Sequence, residues 1–180
     1  MLKIPNSERL SFRLMGAKDA QTLWALDQNP EVMRFLNGGK PHSMETINEV
    51  FIPRMLAYMN AEKGWGIWQV SDKASKEYLG WVLVRPMDFF TDKPRFDDIE
   101  LGWRFFQKAW GKGYATEAAI AIKDAVASQT AIHYVSAIAV EDNIGSISVM
   151  KKVGMTFVRK YQHKDPIGDF MAVHYQMSVK

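Results

Sequence analysis

A change of hydrophobic period between residues 97 and 127 constrains the fold of this chain most strongly. Before the change, apolar residues alternate with polar or small ones, as in a half-buried strand: Ile99, Leu101, Trp103 and Phe105. After the change, apolar residues recur every three or four positions from 115 to 126, which is the spacing of one helix face. The glycine-bearing segment 108–113 separates the two patterns. The stretch therefore predicts a strand, a turn and a helix in direct succession.

The glycine turn has the features of an anion site. The first amides of a helix have no intrahelical acceptor, and glycines without a Cβ let a ligand approach the main chain. The Gly-x-Gly-x-x-Gly motif of dinucleotide sites and the Gly-Lys-Ser/Thr motif of nucleoside triphosphate sites are both absent. Two interpretations stay open, a plain structural turn and a pyrophosphate site built mainly from main-chain amides.

The remaining elements predict a mixed architecture. Strands are expected at 8–15, 66–71, 77–85, 133–140, 155–162 and 170–179. Helices are expected at 18–28, after the Asn29-Pro30 start, from Ser43 to about 61 with a kink or break at Pro53, and at 143–153. The buried stripe of the third helix would include Ile47 and Val50. We therefore expect an α/β (α+β) fold in one domain, 1–180, with a mixed, mostly antiparallel sheet and helices on both faces.

Composition narrows the function classes. The chain has 180 residues, no cysteine and a formal net charge of +3, with lysine and arginine scattered along it. Thiolate chemistry is excluded, and neither nucleic acid nor a membrane is an expected partner. The four histidines lack metal-ligand spacing, so no metal is expected. A reducing cytoplasm is the expected location.

Several segments together resemble the GCN5-related N-acetyltransferase (GNAT) superfamily. They are the turn and helix Gly-Lys-Gly-Tyr-Ala-Thr-Glu-Ala, the later Asn143-Ile144-Gly145-Ser146, and the segment from Met150 to Met155. The start of the chain from Ser7, the triplet Leu79-Gly80-Trp81 and the closing Gly168-Asp169-Phe170 resemble its ribosomal-protein N-terminal acetyltransferase branch. The resemblance implies a sheet whose fourth and fifth strands splay apart and hold acetyl-coenzyme A (acetyl-CoA) in the gap.

The resemblance also implies a set of cofactor-binding residues. The pantetheine arm would lie along the main chain at the end of the fourth strand, then contact Asn143, with Ser146 near the thioester sulfur. The pyrophosphate would lie on the turn, where Lys108 and Lys112 either meet phosphates or are simply solvated. The residues implied for the strand end and the turn are Arg104, Phe105, Phe106, Lys108, Ala109, Trp110, Gly111, Lys112, Gly113 and Tyr114.

Acetyl transfer needs a neutral amine, a site for the oxyanion and a proton for the departing thiolate. Glu100 is the candidate base; the alternative is a charged residue on a solvated sheet face. Ser146 is the candidate proton donor; the alternative is a residue that only satisfies a helix terminus. Many family members have a tyrosine general acid where this chain has Met150. Tyr161 and His163 are fallback proton carriers.

The resemblance predicts an acetyl-CoA-dependent N-acetyltransferase in which an amine attacks the thioester directly. The preferred acceptor is a protein N-terminal amine, and a small-molecule amine (polyamine, antibiotic or amino acid) is the alternative. Rivals of other classes are a non-catalytic acyl-CoA-binding module and a phosphate-ligand protein of unrelated fold. The protein would act as a monomer or homodimer. Four aromatic residues would either line the acceptor site or pack in the core: Trp65, Trp68, Phe89 and Phe90.

Overall fold

The computed structural model describes residues 1–180 and contains one seven-stranded sheet, in the order β1–β2–β3–β4–β5–β7–β6. All neighbouring strands are antiparallel except β4 and β5, which are parallel. The strands are β1 (Leu10–Leu14), β2 (Gly66–Asp72), β3 (Tyr78–Met87), β4 (Arg95–Phe105), β5 (Tyr134–Val140), β6 (Thr156–His163) and β7 (Phe170–Ser178). The predicted mixed, mostly antiparallel sheet is confirmed.

Helices cover both faces of the sheet, as predicted. They are α1 (Ala20–Leu26), α2 (Pro30–Asn37), α3 (Met44–Thr46), α4 (Ile52–Tyr58), α5 (Tyr114–Gln129) and α6 (Ile144–Val153). The larger core cluster joins one sheet face to α5 and α6, and the smaller cluster joins the other face to α1, α2 and α4. Because alternate residues of a strand point to opposite faces, β2 and β3 contribute to both clusters, whereas β4 and β5 contribute only to the larger one. None of the helices has the length and apolar character that crossing a membrane requires.

The segment after Ser43 differs from the expected single helix. Ser43 caps α3 as predicted, but Ile47–Phe51 forms a π-helical segment before α4, whose first turn contains Pro53. Proline has no N–H and crowds the carbonyl four residues earlier, so a wider turn ahead of it relieves the conflict. The π turn also shifts the helical phase: Ile47 is buried, but the side chain of Val50 is exposed, and its prediction as buried was wrong.

The parallel strands β4 and β5 separate after a short paired stretch. Their register contains only Asp98 with Tyr134, Ile99 with Val135, and Glu100 with Ser136. Beyond this point β4 continues on β3 and β5 continues on β7. A cleft therefore opens between the fourth and fifth strands, as the sequence resemblance predicted.

Candidate active site

The turn that follows β4 presents a row of unpaired main-chain donors. Four consecutive N–H groups, from Gly111 to Tyr114, have no acceptor within the protein. Gly111 and Gly113 have φ angles of +72° and +78°, in the left-handed region that favours glycine. A Cβ at Gly111 would meet no atom within 4 Å, so this side of the turn is open. The turn leads into the 16-residue helix α5, whose N-terminal dipole adds to the attraction for an anion.

Side chains anchor this turn to the end of β4. The Trp110 indole Nε1 donates to the carbonyl of Phe105 at 3.0 Å, and the Phe106 N–H donates to the Leu79 carbonyl at 3.0 Å. The Lys108 ammonium pairs with Glu77 of the β2–β3 connection. Trp110 thus ties the turn to the strand, while about half of its side chain stays exposed. The contacts of Trp110, Phe106 and Lys108 thus hold the turn in place within the protein alone.

The other wall of the cleft begins at α6. The Asn143 side chain accepts from the Ser146 N–H at 3.2 Å, which is the helix-capping geometry expected from the sequence. The Ser146 hydroxyl has no hydrogen-bond partner in the protein and is half-buried. Met150 lies one turn further on and is completely buried in the larger core cluster. The hydroxyl of Ser146 is therefore free to contact a ligand, whereas the Met150 thioether is enclosed by apolar side chains.

Glu100 lies at the last paired position before β4 and β5 separate. Its carboxylate accepts from Arg85 Nε at 2.9 Å and from Arg85 Nη2 at 3.3 Å, and only 7% of Glu100 is exposed. The alternative of a solvated sheet face is wrong, because α4 and the connection after β3 cover this face. Burial opposes the charge of Arg85, but the charge of Glu100 and the hydrogen bonds to it together outweigh burial and hold the arginine pKa above its usual value. The pair is a buried, charge-assisted contact between β3 and β4.

Aromatic side chains surround this ion pair on the same face. The Arg85 guanidinium lies 5.6 Å from the Tyr58 ring centre and 5.5 Å from that of Phe90, and Phe89 packs edge-on against both rings. Of the four aromatics considered for the acceptor site, Phe90 lies beside the arginine that binds Glu100, and Phe89 packs against Phe90. Trp65 and Trp68 are instead buried in the cluster on the opposite face.

The fallback proton carriers lie on the β6–β7 hairpin. The Tyr161 hydroxyl is 3.1 Å from His163 Nδ1, and burial raises the pKa of Tyr161. Asp165, in the following connection, forms a mostly buried ion pair with Arg54 of α4. An open depression of about 460 Å³ lies beside this ion pair, lined by Phe90, Thr91, Asp92, Lys164, Asp165, Pro166 and Asp169. The β6–β7 hairpin and α4 thus lie on the side of the molecule where Glu100 is found.

A buried polar network joins β4, β5 and β7 directly below the branch, and sequence reasoning missed it. Ser136 Oγ lies 2.8 Å from Asp98 Oδ1 and 2.9 Å from His174 Nε2, and Gln176 Nε2 donates to Asp98 at 2.8 Å. Burial raises the pKa of Asp98 and lowers that of His174 to about 4. The alternation of the polar residues His174 and Gln176 along β7 was the one sequence signal for this network. Their hydrogen-bond partners depend on the order of the strands, which the sequence pattern does not indicate.

This network does not have the arrangement of a nucleophilic triad. The Ser136 proton is directed at Asp98, so the neutral His174 donates from Nε2 to Ser136 Oγ. His174 Nδ1 is then an acceptor, and it has no partner in the protein. A serine nucleophile needs its proton on an imidazole acceptor, and here the donor order is reversed. The network joins the strands where the cleft begins.

The predicted cofactor residues fall into two groups around the cleft. The main chain of the turn and the end of β4 line one side, and Asn143 and Ser146 begin the helix after β5. The Arg104 side chain points away from the predicted pantetheine route along the end of β4, because its guanidinium binds Asp27 at 2.6 Å and stacks on Trp81. No cluster of three or more histidine, aspartate or glutamate side chains is placed to hold a metal ion.

Comparisons with known proteins agree with this architecture. A family model described as an acetyltransferase (GNAT) domain matches residues 9–156. The uncharacterized protein YkkB of Bacillus subtilis is 30% identical over 163 residues, which is 86% of this chain and 88% of YkkB. The FsC-acetyl coenzyme A-N(2)-transacetylase of Aspergillus fumigatus is 27% identical over 162 residues, 88% of this chain and 67% of that protein.

The fold is also found among solved structures. RimL, the ribosomal L7/L12 alpha-N-protein acetyltransferase, solved with coenzyme A, superposes with a TM-score of 0.73 at 17% identity and covers 97% of both chains. At this identity the likeness shows the fold alone, whereas the family model spans most of the sequence. The chain therefore belongs to the GNAT family of acetyltransferases, whose acetyl donor is acetyl-CoA.

Proposed function

We propose that this protein transfers the acetyl group of acetyl-CoA to a primary amine by direct attack of the amine in the cleft between β4 and β5. The observation that carries the proposal is the combination of an early end to β4–β5 pairing, at Glu100 and Ser136, with four unpaired amides at the open end of β4. Unpaired donors at a helix N-terminus suit a pyrophosphate, and the gap between the strands suits an extended arm.

The donor would be bound mainly through the main chain. The amides from Gly111 to Tyr114 would hold the pyrophosphate, with the unpaired ammonium of Lys112 nearby. The pantetheine arm would follow the end of β4 at Arg104, Phe105 and Phe106, where β5 no longer supplies hydrogen bonds. The carbonyl of Phe105 and the N–H of Phe106 already have partners, so other main-chain groups of this segment would make the contacts.

The chemistry would be shared between the two walls. Glu100 would take the proton of the attacking ammonium through water: although Arg85 binds both carboxylate oxygens, each oxygen keeps a further lone pair. Ser146 would donate to the departing thiolate, because its hydroxyl is unpartnered, and would regain its proton from the amine nitrogen, which loses a second proton as the tetrahedral intermediate collapses. The Met150 thioether has no proton to donate, so it cannot replace a tyrosine acid. The acetyl group would pass directly between thioester and amine.

A protein N-terminal amine is the first choice of acceptor. The RimL likeness over nearly the whole chain and the sequence resemblance to the ribosomal-protein branch support it. A small-molecule amine is the second candidate, supported by 27% identity to the Aspergillus transacetylase. Asp169 beside the depression is paired with Lys164, whereas the carboxylate of Asp92 has no cationic partner and would attract either acceptor as its ammonium.

Release of free thiol from acetyl-CoA tests the proposal. The assay would compare peptides with a free N-terminus, the same peptides N-acetylated, polyamines, aminoglycosides and amino acids. We expect thiol release with unblocked peptides and none with blocked ones. Binding of acetyl-CoA without thiol release for any amine would refute the enzymatic proposal, and release with small amines alone would refute the preferred acceptor.

Glu100→Gln tests the proposed base. Loss of a general base lowers turnover by about a hundredfold or more, and the acidic limb of the rate–pH profile should be lost with it. Glu49→Gln is the matched control, because Glu49 is exposed and has no hydrogen-bond partner. If Glu100→Gln keeps the wild-type pH profile, Glu100 is not the base.

A further inference from the structure

Glu117 lies in the first turn of α5, where its charge conflicts with a bound anion. The side chain is four residues after Gly113 and is mostly buried. A carboxylate near a helix N-terminus is favourable in the empty protein, but it would repel a pyrophosphate bound at the same terminus. A protein that binds an anion here needs a way to neutralise Glu117.

Three donors from the start of the chain converge on this carboxylate. The Ser7 hydroxyl and the Arg9 N–H donate to Glu117 Oε1 at 2.6 and 2.8 Å, and Arg9 Nε donates to Oε2 at 2.7 Å. Burial alone would raise the pKa of Glu117, but these hydrogen bonds hold it below its usual value. Glu117 is therefore ionised and matched by the charge of Arg9.

Arg9 also binds the turn itself. Its Nη1 donates to the Lys112 carbonyl at 2.9 Å, and its guanidinium lies 4.4 Å from the ring centre of Tyr114, the first residue of α5. In a trans peptide the C=O and the following N–H point in opposite directions. Holding the Lys112 carbonyl against Arg9 therefore turns the Gly113 N–H, which has no acceptor in the protein, to the other side.

We propose that Arg9 is a positioning residue for the acetyl-CoA pyrophosphate. It orients the Gly113 amide by holding the Lys112 carbonyl, and it cancels the charge of Glu117 so that the helix N-terminus stays attractive to an anion. Arg9 acts through these groups and its own guanidinium is committed to the protein. The inference rests on the proposed function, which assigns the turn to the pyrophosphate.

Two acetyl donors separate this role from a general effect on folding. Acetyl-CoA carries the pyrophosphate, and S-acetylpantetheine has the same arm without it. For Arg9→Ala we expect the KM for acetyl-CoA to rise about tenfold, the size expected for losing a hydrogen bond to a charged group. The kcat, and all constants with S-acetylpantetheine, should stay within about twofold of wild type. Equal losses with both donors, or no loss with either, would overturn the proposal.

Arg13→Ala is the matched control for this variant. It removes the same side chain four residues later, where Arg13 pairs with Asp19 on a different face and has no contact with the turn. Both variants break an ion pair at a partly exposed arginine, so their melting temperatures show how much of any change is structural. Arg13→Ala should leave the KM for both donors unchanged; a rise equal to that of Arg9→Ala would overturn the proposal.

A second variant tests the charge step. Arg9→Ala leaves the Glu117 carboxylate uncompensated, and adding Glu117→Gln removes that charge while keeping an acceptor for Ser7. We expect the double variant to regain at least about threefold of the lost acetyl-CoA affinity, whereas no recovery would overturn the neutralisation of Glu117. If Arg9→Ala does not fold, Arg9→Lys serves instead: it keeps the charge and loses the fork that reaches Lys112. Its KM for acetyl-CoA should still rise selectively.

Failure of the inference can be told apart from failure of the proposed function. Gly113→Ala forces a side chain into a left-handed backbone conformation and distorts the turn directly. If Gly113→Ala raises the KM for acetyl-CoA alone and Arg9→Ala does not, only the role of Arg9 is refuted. If neither variant affects acetyl-CoA selectively, the turn is not the pyrophosphate site and the proposed function fails at that point.

Discussion

Gly80 is a position where a single methyl group should disturb the cofactor cleft. It lies on β3 opposite Phe105, at the end of β4. A Cβ at Gly80 would be 2.4 Å from the Arg104 carbonyl oxygen and 2.7 Å from the Phe105 ring. The oxygen belongs to the main chain, so it cannot move aside without displacing the strand. Gly80→Ala therefore pushes the end of β4 away from β3 and toward the cleft.

The size of the effect follows from two opposing contributions. Overpacking a well-filled site costs about 1–3 kcal/mol, while alanine recovers about 0.5–1 kcal/mol because it loses less backbone entropy than glycine. The expected net loss is about 1–2 kcal/mol in the free energy of unfolding. For a chain of this length the melting temperature should fall by about 2–8 °C. The KM for acetyl-CoA should rise as well, because the displaced peptide belongs to the proposed pantetheine route.

Gly102→Ala is the matched control, because it makes the same substitution where no close contact results. Gly102 is also in the sheet, on β4, but a Cβ there would have Leu83 at 3.7 Å as its nearest neighbour, an ordinary contact. Its stability should be unchanged or raised by up to about 1 kcal/mol. Thermal melts with and without acetyl-CoA, and donor kinetics, would compare the two variants. If both melt alike, the argument from the Gly80 contact is refuted.

Three further predictions follow from buried polar contacts. A histidine in the unfolded chain binds a proton near pH 6.5, whereas burial lowers the pKa of His174 in the folded protein to about 4, so the stability of the fold should decrease as the pH drops through this window. In urea titrations, His174→Gln should lose less stability between pH 7.5 and 4.5 than the wild type. Equal losses would contradict this. Arg54→Met removes the arginine partner of Asp165, whose carboxylate keeps the Ile167 N–H and the nearby His163, and should cost about 1.5–3 kcal/mol in chemical denaturation, whereas adding Asp165→Leu should recover part of the loss. Trp110→Phe removes the hydrogen bond to Phe105 but keeps a ring, so coenzyme A affinity measured by calorimetry should fall about fivefold; unchanged affinity would show that the bond does not hold the turn.

The local parts of the fold could be predicted from the sequence. The switch of period at the glycine turn gave β4 and α5, and the caps at Asn29 and Asn143 gave correct helix starts, because each signal involves residues within a few positions of one another. The segment before Pro53 was harder. The π turn changes which residues face the core, and a pattern that assumes 3.6 residues per turn cannot detect it.

Contacts between residues that are distant along the chain could not be predicted from the sequence, because they depend on how the strands pair. The partner of Glu100 is Arg85, which is set by the register of β3 on β4. The neutralisation of Glu117 depends on Arg9, which lies more than a hundred residues earlier in the chain. In both cases the partner that decides the chemistry of the carboxylate comes from a different part of the fold.

The branch of the sheet divides the site into two halves with separate supports. On one side, the end of β4 and the glycine turn are held by β3, by Trp110 and by Arg9. On the other, β5 and α6 are held by β7. The two halves meet where Asp98 accepts from Ser136, directly beside Glu100. Variants of the glycine turn and of its supports should therefore change the affinity for acetyl-CoA, whereas variants of Glu100 and Ser146, the proposed base and proton donor, should change turnover. Substitutions at the Asp98–Ser136 junction should change both, because that contact joins the two halves at the point where they separate.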